Sequence, residues 1–208
     1  LCCLLLGGCA ETVGEYRDTY VVQPQDTLYS IAWRYGIDFR DLARWNHIGS
    51  DFRIGVGQTL TLTPPPQGPN QRNTAPANAA AAAPPRGATF AWAWPTDALS
   101  APQPVTGGGI LLSGHLGQDV RAAAAGRVVY TGNGIRGYGN LIILKHADSL
   151  LSAYAHNRES LVRDGEAVAL GQIIGHMGEG APNKPVLYFE IRRNGKPIDS
   201  LPFLPTRK

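Results

Sequence analysis

No cysteine occurs after residue 9. Cys2, Cys3 and Cys9 are the whole complement, so no disulfide framework staples the rest of the chain. The sequence also lacks any run of Lys and Arg, and any basic stretch with interleaved aromatics. A formal charge of +3 dispersed over 208 residues argues against a nucleic-acid partner and fits an anionic wall polymer equally well. The apolar run Leu1 to Ala10 is too short for a transmembrane helix, which needs about 20 residues. Between Thr63 and Thr89 there is no aromatic residue, Val, Ile or Leu, while 7 Pro and 8 Ala are present. Such a stretch cannot bury enough apolar surface to fold.

What is present suits soluble globular structure in one large or two small domains: 43% hydrophobic and 17% charged residues, with 25 Gly and 16 Pro for turns and a linker. Residues 63–89 are read as that linker. At ~3.1 Å per residue for extended Pro-rich chain it reaches at most roughly 80 Å, enough to leave the units on either side independent. The chain starts at Leu rather than Met, so residues 1–9 are read as the tail of a signal peptide. Leu6-Gly7-Gly8-Cys9 resembles the bacterial lipobox. That resemblance implies lipidation of Cys9, which would anchor the chain without a membrane span; Ala10 after it, by analogy with other lipoproteins, favours the outer membrane.

The first unit, residues 19–62, reads strand, helix, helix, strand. Tyr20-Val21-Val22 is a short β-type run. Asp26 is placed to cap a helix whose Leu28, Ile31, Ala32 and Tyr35 fall on one face, and Gly36 ends it. Asp38 caps a second helix with Phe39, Leu42 and Ala43 inward and Asn46 as a left-handed terminator. Thr59-Leu60-Thr61-Leu62 closes the unit as an alternating strand. The series Tyr20-x-Val22, Asp26-Thr27-Leu28-x-x-Ile31-Ala32, Tyr35-Gly36, Leu42, Asn46 and Val56-Gly57-Gln58-x-Leu60 resembles a LysM domain along its whole length. The resemblance implies a small α+β fold (βααβ). It also implies a shallow groove for N-acetylglucosamine-containing glycan between the loops 24–28 and 50–54, with Asp26, Thr27, Leu28, Asp51 and Ile54 as contacts.

The second unit, residues 90–208, holds short β-type runs separated by Gly: Gly126 to Tyr130, Leu141 to Leu144, Leu151 to Tyr154 and Leu187 to Ile191. Such spacing predicts a β-dominated domain. Trp94-Pro95, Gly126-x-Val128-Val129, Gly137-Tyr138-Gly139-Asn140, Tyr154-Ala155-His156, Gly165-x-x-Val168-x-x-Gly171-Gln172-x-Ile174-Gly175 and Phe189-Glu190-Ile191 occur in the order of the lysostaphin/LytM-type zinc endopeptidases, which the unit resembles over nearly its whole length.

Active members of that family bind zinc through His-x-Gly-x-Asp and the second His of His-x-His-Phe-Glu, a three-ligand set with one open position. Two alignments of the first motif are open. His115-Leu116-Gly117-Gln118-Asp119 matches it letter for letter, but Asp119 stands only 7 residues before Gly126. The gapless alternative puts Gly107 at the metal His and Leu111 at the metal Asp. In either, the last motif reads Val186-Leu187-Tyr188-Phe189-Glu190, with Tyr188 at the third ligand and Val186 at a second catalytic His. A phenol of ordinary pKa near ~10 is a poor zinc ligand at neutral pH. The expectation is therefore no metal and no cofactor, with His156 the surviving member of the catalytic set.

Lipobox, LysM unit, Pro/Ala linker and metal-less LytM-type unit together resemble the NlpD-type lipoproteins. That resemblance implies a non-enzymatic activator of a periplasmic N-acetylmuramoyl-L-alanine amidase in cell separation, held on peptidoglycan strands at the outer membrane. Its implied partner-binding groove comprises Gly107, Leu111, Asn140, Tyr154, His156, Val186 and Tyr188. A divergent zinc endopeptidase using His115, Asp119 and His156, and a structural glycan tether, remain the competing readings.

Overall fold

A computed structural model describes residues 18–65, 91–147, 149–180 and 183–206. Cys9 and nearly all of the 63–89 linker lie outside the described residues. Among the described residues no helix is long and apolar enough to cross a membrane.

The first unit comprises β1 (Thr19–Val21), α1 (Leu28–Tyr35), α2 (Phe39–Trp45) and β2 (Thr59–Thr61). β1 and β2 pair antiparallel with Tyr20 opposite Leu60. The cap of α1 is Thr27, not Asp26. The Thr27 hydroxyl accepts from Ser30 N and the Ser30 hydroxyl accepts from Thr27 N, a reciprocal box that satisfies two end donors. Asp26 is occupied elsewhere, accepting from the Tyr20 hydroxyl at 2.6 Å, Gln23 N at 2.8 Å and Arg34 at 3.2 Å. Gly36 ends α1 in the left-handed conformation and Asp38 caps α2, both as expected.

Two other expectations change. Asn46 is not left-handed (φ −109°); its amide instead donates to Leu42 O and Thr61 O while accepting from Thr61 N, tying the end of α2 to β2. Tyr35 is 39% exposed, whereas Trp33, off the Leu28, Ile31, Ala32 stripe, is only 2% exposed.

The burial of Trp33 is explained by the second unit. Its strands are β3 (Gln103–Pro104), β4 (Ile110–Ser113), β5 (Asp119–Arg121), β6 (Gly126–Gly132), β7 (Asn140–Lys145), β8 (Leu150–Ser160), β9 (Ala167–Val168), β10 (Ile173–Met177), β11 (Glu179–Gly180), β12 (Lys184–Arg193) and β13 (Lys196–Ile198). Among the described residues the main order is β3-β4-β12-β8-β7-β6-β9, with β10 bridging β5 and β8, and β11 and β13 paired to β12. Leu141 to Leu144 and Leu150 to Ala155 are buried without alternation, as expected of strands covered on both faces.

One face packs Leu112, Ile142, Leu144, Tyr154, Leu187 and Phe189 against Val120, Ile174 and Met177. On the other face Val129, Tyr130, Ile143, Ala153 and Ala155 join Leu28, Ile31, Trp33 and Phe39 of the first unit in one apolar cluster. The two units are therefore packed together rather than independent. Gly195 marks how close they come: a Cβ there would lie 2.4 Å from the Ile37 backbone, and its φ of +76° also favours glycine.

Candidate functional site on the inner face of β12

Side chains alternate between the faces of a strand. Along β12, Leu187, Phe189 and Ile191 enter the apolar core. Tyr188, Glu190 and Arg192 therefore project from the other face. Tyr188 stands opposite Leu111 on β4 and Ala155 on β8. Its hydroxyl donates to Glu190 Oε2 at 2.5 Å, and Glu190 Oε1 accepts from Arg192 Nε at 2.6 Å. Arg192 Nη1 donates onward to Trp33 O at 2.6 Å. The pair Glu190 and Arg192 is buried, and its geometry leaves both charges hydrogen-bonded, as burial requires. Burial, followed by the hydrogen bond to Glu190 and its charge, pushes the Tyr188 phenol well above its ordinary pKa. It stays a neutral donor.

The proposed groove residues divide. Leu111 and Tyr188 face one another across the ladder. The Tyr188 ring covers Gly109, where a Cβ would lie 2.5 Å from the phenol oxygen. Gly107 lies in the turn before β4, with φ +106°. A Cβ at Gly180 would lie 2.6 Å from Val186 Cγ1 and 3.4 Å from His156 Cδ2, so those two side chains flank one spot. Half-burial lowers the His156 pKa. Asn140 donates to Asn157 O and Arg158 O, bracing β7 against β8. Tyr154 is not part of the groove: it is 0% exposed on the opposite face, where its hydroxyl accepts from Ala123 N at 2.8 Å.

The donor set does not fit zinc. Gly107 and Leu111 bring no donor atom, and Tyr188 commits its proton to Glu190. His115 and Asp119 are elsewhere. His115 is exposed in a turn, and Asp119, on β5, pairs with β10 and binds Arg121 at 2.6 Å. Among the described residues, no group of three or more His, Cys, Asp or Glu could hold a metal ion.

In the first unit, Leu28 is 0% exposed and has no surface to offer a sugar. Asp26 and Thr27 are engaged as described above, and the Thr27 hydroxyl also donates to Val129 O at 3.1 Å. Asp51 is exposed and Ile54 half-buried. Trp33 and Arg192 escaped the sequence reading, and Tyr138 and Glu190 entered it as motif positions without a role at the site. Their signals were an aromatic off the stripe of α1 and charges at alternate positions of an otherwise apolar strand.

Comparison with known proteins places these observations. Residues 20–63 match the LysM domain model and residues 106–200 match Peptidase family M23. The second unit resembles the structure of Helicobacter pylori Csd3 with a TM-score of 0.50 and 26% identity, over 57% of this chain and 36% of that one. The chain is 40% identical to the lipoprotein NlpD/LppB homolog of Pseudomonas aeruginosa, over 90% of this chain and 77% of that one. It is 36% identical to the murein hydrolase activator NlpD of Escherichia coli, over 93% of this chain and 70% of that one. With such identity running through both units, the chain belongs to the NlpD/LppB lipoprotein family.

Proposed function

We propose that the chain is a peptidoglycan-bound regulator that activates a periplasmic N-acetylmuramoyl-L-alanine amidase and cleaves nothing itself. The observation that carries this reading is the pairing of Leu111 with Tyr188 where a zinc peptidase needs donor atoms. Without those donors the M23 fold has no means of activating water, yet it keeps an aromatic and aliphatic face of the sort that binds partners. Relatives from Salmonella typhimurium and Escherichia coli carry the name murein hydrolase activator, which supports the same reading. The LysM unit would hold the chain on glycan strands. A lipidated Cys9 would tether it to the outer membrane facing the periplasm, and cell separation is the process such an activator would serve.

The test is a sacculus digestion assay with the chain from Ala10 onward, alone and with a periplasmic amidase. The expected result is no release of wall fragments by the chain alone, faster release by the amidase in its presence, and no stoichiometric zinc. One zinc per chain, lost on His115→Ala or Asp119→Ala and accompanied by cleavage of cross-links, would establish the endopeptidase instead. Tight sacculus binding with no effect on any amidase would establish the tether.

A further inference from the structure

The first unit is seated beside the candidate groove. Arg192 Cζ lies 3.6 Å from the Trp33 ring centroid, and the same guanidinium binds the Trp33 carbonyl. The Trp33 ring meets Tyr138 edge-on at 6.3 Å, and Tyr138 meets Tyr188 edge-on at 5.7 Å. Trp33 is thus two rings from Tyr188, so a partner spreading from Tyr188 toward Arg192 meets α1. We propose that the Trp33 face of the first unit is a built-in cap over this end of the groove, and that a chain of N-acetylated amino sugars bound by the first unit releases it. The proposal rests on the glycan-binding and activator readings given above and adds the coupling between them.

The coupling follows from which loops make the contact. The glycan groove is expected between the 24–28 and 50–54 loops, and both are engaged with the second unit. From the first loop, the Thr27 hydroxyl donates to Val129 O at 3.1 Å. From the second, the Phe52 ring lies 5.3 Å from Lys145 Nζ, which also reaches Phe39 at 5.3 Å and the Tyr29 hydroxyl at 3.3 Å. A saccharide seated between these loops competes with Val129 and Lys145 for the same groups. Capping and sugar binding then oppose each other, and by linkage each weakens the other equally.

The contact is also built to open. Trp33 Nε1 is buried at the seam with Tyr138 as its neighbour. Around this centre, Arg34 donates to Gly134 O and Arg40 to Ser149 at exposed positions, where water readily replaces them. Trp33 lies on α1 and Lys145 on β7 of the second unit, so the two sides of the contact can be altered separately.

The experiment uses the chain from Ala10 onward as wild type, Trp33→Ala and Lys145→Glu. The two substitutions break the contact from opposite sides, so misfolding of one leaves the other as the test. Small-angle scattering reports compactness, and calorimetry reports affinity for tetra-N-acetylchitotetraose. Because a ligand's apparent affinity falls with the fraction of competent molecules, each variant should bind the saccharide on the order of tenfold more tightly than wild type. Each should have a larger radius of gyration, and saturating saccharide should expand wild type toward the variants. Equal affinities with an unchanged radius would overturn the cap while leaving glycan binding intact. Absence of saccharide binding by all three chains would overturn both the release mechanism and the glycan reading.

Discussion

The two faces of β12 stand one residue apart and have opposite characters. Leu187, Phe189 and Ile191 are fully buried among aliphatic and aromatic neighbours. Tyr188, Glu190 and Arg192 form a hydrogen-bonded line ending on Trp33. The first face maintains the sheet as a rigid platform. The second carries Tyr188, which stands opposite Leu111 on β4, and it meets the first unit. Changes on the core face should therefore act on folding, and changes on the inner face on binding.

The largest expected effect lies on the core face. Phe189→Ala removes a wholly buried ring and should cost roughly 3–5 kcal/mol, read as the free energy of chemical denaturation. A loss below about 1 kcal/mol would show that the core face is no more committed to folding than the inner one.

A slightly smaller effect concerns the same core and pH. His146 is buried between Ala125 O at 2.8 Å and Ser152 Oγ at 2.7 Å, and burial holds its pKa at about 4, against an ordinary 6.5. The unfolded chain then takes up a proton at higher pH than the folded one. The stability contributed by neutral His146 is complete above pH 6.5 and is lost as pH falls toward 4, by about 3 kcal/mol in all. His146→Gln should flatten thermal stability across that window. An unchanged acid slope would assign the loss to other groups.

The smallest effect lies at the seam between the units. Thr27→Ala removes both the cap of α1 and the bond to Val129 O, and should lower stability by about 1 kcal/mol. It should also bring the chain nearer to the open form. Thr27→Ser, which keeps the hydroxyl, should restore both. Loss of stability without any change in scattering would separate the cap of the helix from the cap of the groove.

The sequence revealed the architecture through periodicity and turn chemistry. The run at 141–144 became β7 because a continuous apolar segment of that length suits a strand covered on both faces, and the run at 187–191 became β12 with Leu187, Phe189 and Ile191 alternating into the core. Local chemistry was harder to assign where neighbours competed. Asp26 and Thr27 are both good capping residues, and only the folded positions of Tyr20 and Arg34 show that Asp26 is taken. Leu111 and Tyr188, expected from one alignment at metal-donor positions, stand opposite each other in the register. Trp33 and Arg192 could not be read in this way. Their partners lie 159 positions apart in sequence, and no local pattern encodes contact between a helix and a distant sheet. Tyr154 was misplaced because strand register decides which face a residue takes, and a shift of one residue reverses it.

The central claim is that the inner face, freed of metal chemistry, is a docking surface for an amidase. The most direct measurement is amidase stimulation on purified sacculi by wild type, Tyr188→Ala and Trp33→Ala, each with its melting temperature. Tyr188→Ala should stay folded, with a melting temperature within a few degrees of wild type, and lose stimulation on the order of thirtyfold, the equivalent of about 2 kcal/mol at a binding hot spot. Trp33→Ala should stimulate more strongly than wild type because the face is uncovered. A folded Tyr188→Ala chain that stimulates the amidase as well as wild type would contradict the account.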